Sequence, residues 1–460
     1  MKGQKKPTKQ QDRKTSKRDF IGGAATTVPA ATAVPRHLLG SPGKALLVLI
    51  CILFSATLAG AEFRAAIAVR NVTPKPLLPI SGGVGPSGPV TKKIGELTVR
   101  ALVLENSGTR IAICSTDFLG FPGVLCNKVR ARVSGIPPKN ILIGATHTHS
   151  APDCYGFTDK SGKTGTDIEY LSSVCTKLAD AITEAVDKLQ PACIKIATGR
   201  AQGKIAFNYY AEQLYDPRCD VIQVLDAKGK PFATLVNYAC HPEIIGADQG
   251  ILCPDFVGPL YDRIKERGGG TGIFMNGALG GMVTADCRGP DGKDIRTWDE
   301  CIRIGYLLAD ESLRIVAGAP IHKNPKLFCG NITIKFPIES ELIRSIVKLS
   351  PLGFELDEKG RVASQVNVVN IGSAQILTIP GEALPNIGYY LKRKMHGKHN
   401  FLFGLTNDAF GYILTKVDWN SFYRYDYISR ICLGEITGEI FIEEVLEFTD
   451  KCPCPMRTTN

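Results

Sequence analysis

The sequence has little histidine, no close-set pairs of cysteines of the zinc-finger kind, no internal repeat and no long Gly/Ser/Pro linker. Each shortage excludes something. Among its 15 cysteines only Cys452 and Cys454 stand close together, which rules out zinc-ribbon and finger scaffolds. Without a repeat or a linker, a solenoid and a string of separate domains are both disfavoured. At 44% hydrophobic and 22% charged residues over 460 positions, disordered, collagen-like and small disulfide-scaffold classes are excluded as well.

The net charge of +11 suggests a polyanionic partner until it is located. Residues 1–44 hold ten basic side chains against Asp12 and Asp19, so 8 of the 11 charges sit in this leader. Its Ala/Thr/Pro/Gly stretch has no period and is expected to be disordered. The remaining +3 is spread over 399 residues, and no nucleic-acid partner is called for. Residues 45–61 then form an uncharged apolar run ending in Ala59-Gly60-Ala61. Basic flank, short apolar core and small-residue ending read as an export signal cleaved after Ala61. Seventeen residues fall short of the roughly 20 that span a membrane, so retention as a membrane anchor is the alternative. Either way the chain is expected to be exported, periplasmic or extracellular. Cys51 lies in the apolar run. The fourteen cysteines beyond it are read partly as disulfides and partly as small buried apolar residues.

From Ala65 onward short apolar runs alternate with longer amphipathic ones, the pattern of an α/β fold. Strands are predicted over 65–69, 97–104, 110–115, 141–145, 193–198, 221–225, 232–238, 272–275, 327–334, 366–369, 375–378 and 402–404. Helices are predicted over 167–189, 255–267, 297–316, 384–395 and 436–446. Residues 62–455 are read as one large mixed-sheet α/β domain with its chemistry at strand ends.

Three of the seven histidines follow predicted strands: His147 and His149 in ATHTHSAP, and His241 in NYACHPE. Two residues apart in extended chain, His147 and His149 point to one side. A histidine pair with a further strand-end histidine favours a metal over three separate carbonyl-bonded caps. Such a site needs a carboxylate, and the turn in Ile379-Pro-Gly-Glu382 presents Glu382 at a strand end.

Taken in order, ATHTHSAP, NYACHPE, NGALGG, IPGEALP and TNDAFGYILT resemble the neutral/alkaline, non-lysosomal ceramidase family, and the likeness runs from about Ala65 to Glu444. Asn71-Val-Thr-Pro74 and Ser115-Thr-Asp117-Phe-Leu-Gly resemble its opening segments. The resemblance implies a Zn²⁺-dependent amidohydrolase acting on an N-acyl bond of a small-molecule or lipid amide. It implies His147, His241, Glu382 and Tyr412 as metal ligands, and His149 beside the metal as acid/base. It departs from the family in three places. Gly281 and Val283 stand where the family has an aspartate and a serine. The family's Asn-Arg is replaced within Asn208-Tyr209-Tyr210, with Tyr209 or Arg218 as candidate substitutes. The family's carboxyl-terminal immunoglobulin-like domain is expected to be missing. Tyr425 is expected behind the ligands or in an aromatic core stripe. A metal-activated water needs no serine, so hydrolysis is the favoured function. A metal-binding, catalytically altered protein that binds a ligand at an envelope surface is the alternative.

Overall fold

The computed structural model describes residues 62–159 and 161–456. The leader and the export signal read from the sequence lie outside the described residues. Runs of alternating or continuous Val, Ile and Leu form strands where the sequence reading puts them. In chain order these are β1 (Arg64–Asn71), β2 (Thr98–Asn106), β3 (Thr109–Thr116), β4 (Ile141–Ala145), β5 (Gln190–Arg200), β6 (Arg218–Asp226), β7 (Pro231–Tyr238) and β8 (Thr271–Asn276). They lie in one sheet in the order β8-β7-β6-β5-β1-β2-β3-β4, with the short β9 (Ile321–His322) added on β5. A second sheet runs β10 (Leu327–Pro337), β11 (Arg361–Ile371), β12 (Ala374–Thr378) and β13 (His399–Phe403).

The eight α-helices among the described residues are α1 (Gly123–Arg130), α2 (Ile168–Asp187), α3 (Val257–Glu266), α4 (Trp298–Ala317), α5 (Glu341–Leu349), α6 (Pro385–Lys394), α7 (Asp426–Arg430) and α8 (Thr437–Lys451). The Asp167 and Thr297 side chains cap α2 and α4 by accepting from Tyr170 N and Glu300 N. All five predicted helices are present, and the mixed α/β architecture is as expected.

One motif occurs three times. Strands β1, β2, β3 and β4 are neighbours in sequence order, the first two pairings antiparallel and the third parallel. Strands β5 to β8 repeat this pattern, and so do β10 to β13. In each module a helix crosses over the parallel pair (α1, α3, α6), and a longer helix follows the fourth strand (α2, α4, α8). No repeat is readable in the residues; it lies in the topology alone. Modules 64–187 and 190–317 join through β1 and β5 into the larger sheet. Module 327–451 supplies the second.

The two sheets pack face to face through Leu102, Ile111, Ile222 and Leu235 of one and Val369, Ile376 and Phe403 of the other. The long helices cover the outer faces, giving four layers. All fourteen cysteines among the described residues are free, so the expected disulfides are not formed. Most lie in the cores between helices and sheets, where a thiol serves as a small apolar side chain. No described helix is long and apolar enough to cross a membrane.

Candidate metal centre

The carboxyl ends of the three parallel strand pairs meet at one place, where α/β folds gather ligands. Backbone and amide bonds lock them together. Ala145 N donates to Leu405 O, Asn407 N to Ile143 O, and Gly404 N to Asn276 O. The Asn276 side chain donates to Thr146 O and Cys240 O. Each module adds a loop to the resulting floor.

His147 leaves β4 in the left-handed region, with φ 75°. That turn aims its Nδ1 at the Leu119 carbonyl, 2.5 Å away. His241 follows β7, and its Nδ1 donates to Val283 O at 2.8 Å. Both rings therefore carry a proton on Nδ1 and turn Nε2 toward the cluster. Glu382 follows β12 on a two-residue strand paired in parallel with Tyr412-Ile413. Its Oε2 stands 3.1 Å from His241 Nε2 and 3.6 Å from His147 Nε2. Ligands held about 2.1 Å from a tetrahedral zinc lie about 3.4 Å apart, so these three atoms fit such an ion.

His149 completes the cluster, since the histidine donor atoms all fall within 4.8 Å of one another. Its Nε2 is buried without a partner, and its Nδ1 lies 3.6 Å from Glu243 Oε2. The backbone of His149 donates to Pro242 O, tying the two histidine loops together. Burial holds His147 and His149 down at about 3 and about 4, despite their carboxylates, so both are neutral at physiological pH. Burial also opposes charge on His241, but the Glu382 hydrogen bond and Glu243 outweigh it and hold it up at about 9. For Glu382, burial raises the carboxyl but the facing His147 and His241 bring it below its ordinary range.

Tyr412 reaches the same pocket, with its hydroxyl donated to Met282 Sδ at 3.3 Å. Burial first, and Glu382 second, push this phenol well above its ordinary range. Tyr425 packs at a tilt against Phe422, ring centroids 4.1 Å apart, and belongs to an aromatic cluster with Tyr210. Tyr427, which the sequence reading did not single out, lines the pocket instead. Arg218 forks onto Asp216 at 2.7 and 2.9 Å and does not line the pocket, and Tyr209 is 59% exposed. Neither replaces the family's arginine at the histidines. Val283 gives its carbonyl to His241 while its side chain is buried.

Above the cluster opens a cavity of about 680 Å³ with largely aliphatic and aromatic walls. Phe157, Phe354 and the α5 residues Ile343, Ile346 and Val347 supply much of that lining. Helix α5 escaped prediction because it is a nine-residue turn of chain between strands. The glycines of NGALGG have a local reason too. A Cβ on Gly280 would overlap the Glu382 carbonyl oxygen, so only glycine lets that strand end pass.

No family model matches the chain. It is 25% identical over 285 residues to neutral ceramidase B of Dictyostelium discoideum, and 28% identical over 235 residues to neutral ceramidase A of the same organism. These matches cover 52% and 43% of this chain, and only 40% and 33% of the relatives' own lengths. The neutral ceramidase of Pseudomonas aeruginosa superposes with a TM-score of 0.66 at 15% identity, covering 87% of this chain and 76% of that one. A ceramidase complexed with C2 gives the same score and identity, with 77% of that chain covered. In sequence and in fold the chain is neutral ceramidase-like, a divergent relative of those proteins.

Proposed function

We propose that the protein is an exported zinc-dependent amidohydrolase that cleaves an N-acyl amide carried on a lipid-like chain. The observation that carries this reading is the convergence of His147 Nε2, His241 Nε2 and Glu382 Oε2 at the foot of an apolar cavity. These three would hold the ion, and Tyr412, paired with Glu382 across adjacent strands, is the fourth candidate ligand. Bound Zn²⁺ supplies Lewis acidity and makes water a nucleophile near neutral pH.

The chain's own residues do the rest. Leu119 O and Val283 O fix the direction of His147 and His241, and loading would displace the proton that His241 Nε2 shares with Glu382. The apolar walls take up the acyl chain and exclude water from the amide. His149, neutral and with Nε2 unpartnered, can accept a proton from the attacking water and return it to the departing nitrogen. Overall the water oxygen joins the acyl carbon, the C–N bond breaks, and the nitrogen leaves protonated as an amine. Export rests on the order of basic, apolar and small residues across 1–61.

The test is turnover of an amide panel, with ceramides of several acyl lengths, before and after chelation and after zinc is restored. Zinc-restored activity that His147→Ala abolishes is expected. Stoichiometric metal with no amide turnover would favour the alternative, a metal-binding, catalytically altered protein. The absence of an arginine or serine at the cluster is what speaks for that alternative.

A further inference from the structure

His149 forms part of two cavities. One is the apolar cavity above the metal centre; the other is a polar cleft of about 900 Å³ on its far side. Gly83 and Val84 complete the partition between them. The cleft contains three charged side chains, Glu243, Asp248 and Arg296. Two of them neutralise each other: Arg296 Nη1 donates to Asp248 Oδ2 at 2.8 Å. Arg296 Nη2 also donates to Asp248, and Nε and Nη2 reach the Ile244 and Ile245 carbonyls. Glu243 is the charge left over: its Oε2 lies 3.6 Å from His149 Nδ1, and its other stabilising neighbours are the His241 imidazole and the Thr284 hydroxyl.

We infer that this cleft receives the amine half of the substrate and that Glu243 is its specificity-determining residue, selecting amines that carry an ammonium or hydroxyl group and rejecting those that carry a carboxylate. The inference rests on the amidohydrolase reading for the orientation of the substrate. With the acyl chain in the apolar cavity, an amide held at His149 sends its nitrogen substituent across the partition. There it meets an oxygen anion that has no direct ion pair with Arg296, whose guanidinium is committed to Asp248 and two backbone carbonyls. A donor on the substrate gains a charge-assisted hydrogen bond, whereas a second carboxylate meets like charge in a partly desolvated cleft.

Dodecyl ureas, which share the amide's shape but are not cleaved, test this directly on the full chain. Three would be compared by calorimetry, bearing 2-aminoethyl, 2-hydroxyethyl or carboxymethyl on the distal nitrogen. The aminoethyl and hydroxyethyl compounds should bind at least about tenfold more tightly than the carboxymethyl one. Glu243→Gln, with unchanged melting temperature and metal content, should shrink the aminoethyl-to-carboxymethyl ratio to below about threefold. Equal binding of all three by the wild type, or an unchanged ratio in Glu243→Gln, would overturn the assignment. Turnover of the matching amides is read separately. Its absence, with the binding pattern intact, would remove the hydrolase reading and leave the cleft's selectivity standing.

Discussion

Glu382 Oε2 lies 3.1 Å from His241 Nε2, two side chains 141 residues apart in sequence and contributed by different modules. With His147 they make a donor set that belongs only to the folded chain, so a metal that fits it stabilises the fold by mass action. Zinc at 100 times its dissociation constant should add about 2.7 kcal/mol to unfolding stability, seen as a rise in melting temperature. His241→Ala and Glu382→Ala should each abolish that rise and the bound metal measured by mass spectrometry. A rise that persists in both variants would place the metal elsewhere.

Gly280 should be intolerant of any side chain. A methyl there overlaps the Glu382 carbonyl oxygen and backbone of Ala383, neither of which is a flexible chain end. Gly280→Ala is expected to lower stability by about 1–3 kcal/mol, as overpacking does, and to weaken metal retention by displacing the carboxylate. Chemical denaturation with metal analysis checks both effects.

Ile346 lines the apolar cavity from α5 without touching the metal donors. Ile346→Ala should leave turnover of a short acetyl amide intact and lower kcat/KM for a long acyl amide by about tenfold. Tenfold is about 1.4 kcal/mol, roughly two buried methylene contacts at about 0.8 kcal/mol each, as fits a partly buried side chain. An equal fall for both substrates would place the acyl chain outside this cavity.

Lys392 joins module 327–451 to β6 through Asp216 at 3.0 Å and Asp220 at 2.9 Å, all three buried. Lys392→Met leaves Asp220 buried without a cation, while Asp216 keeps Arg218. A loss of about 3–5 kcal/mol is expected by urea denaturation. Adding Asp220→Asn should recover part of it.

Asp408 gives a pH signature of opposite sign to an ordinary ion-paired carboxylate. Burial pushes its carboxyl up to about 7, although Gly123 N and Ala409 N donate to it at 2.9 and 3.0 Å. Between about pH 4, where the unfolded side chain ionises, and about pH 7, the native state holds a proton that the unfolded state has lost. Stability from this group is therefore full below pH 4 and disappears as pH rises through 7. Relative to Asp408→Asn, the wild type should lose up to about 1.4 kcal/mol per pH unit across that window. A flat difference between the two proteins would refute the assignment.

How much of this could be read from the residues varies with the kind of signal. The five longer helices announced themselves by capping residues and amphipathic period, and Glu382 by the Pro-Gly turn before it. His147, His149 and His241 stood out because histidine is scarce and each follows an apolar strand. Tyr427 could not be separated from Tyr425 by pattern, since only packing decides which ring turns to the cavity. The polar cleft was equally hidden, because Glu243 and Arg296 are far apart in sequence. Cysteine count suggested disulfides, yet count says nothing of the distance between thiols. The threefold module left no trace because corresponding loops carry unlike residues: Leu119, His241 and Glu382 all follow third strands, and share no chemistry.

That threefold arrangement would make a metal bound at these residues a checkpoint on assembly. One module brings His147 and His149, the next His241, the last Glu382 and Tyr412. A nascent chain that has folded its first two modules holds histidines without the carboxylate and should bind metal poorly. High affinity should switch on only when residues 374–413 have docked, so zinc uptake would time the completion of folding.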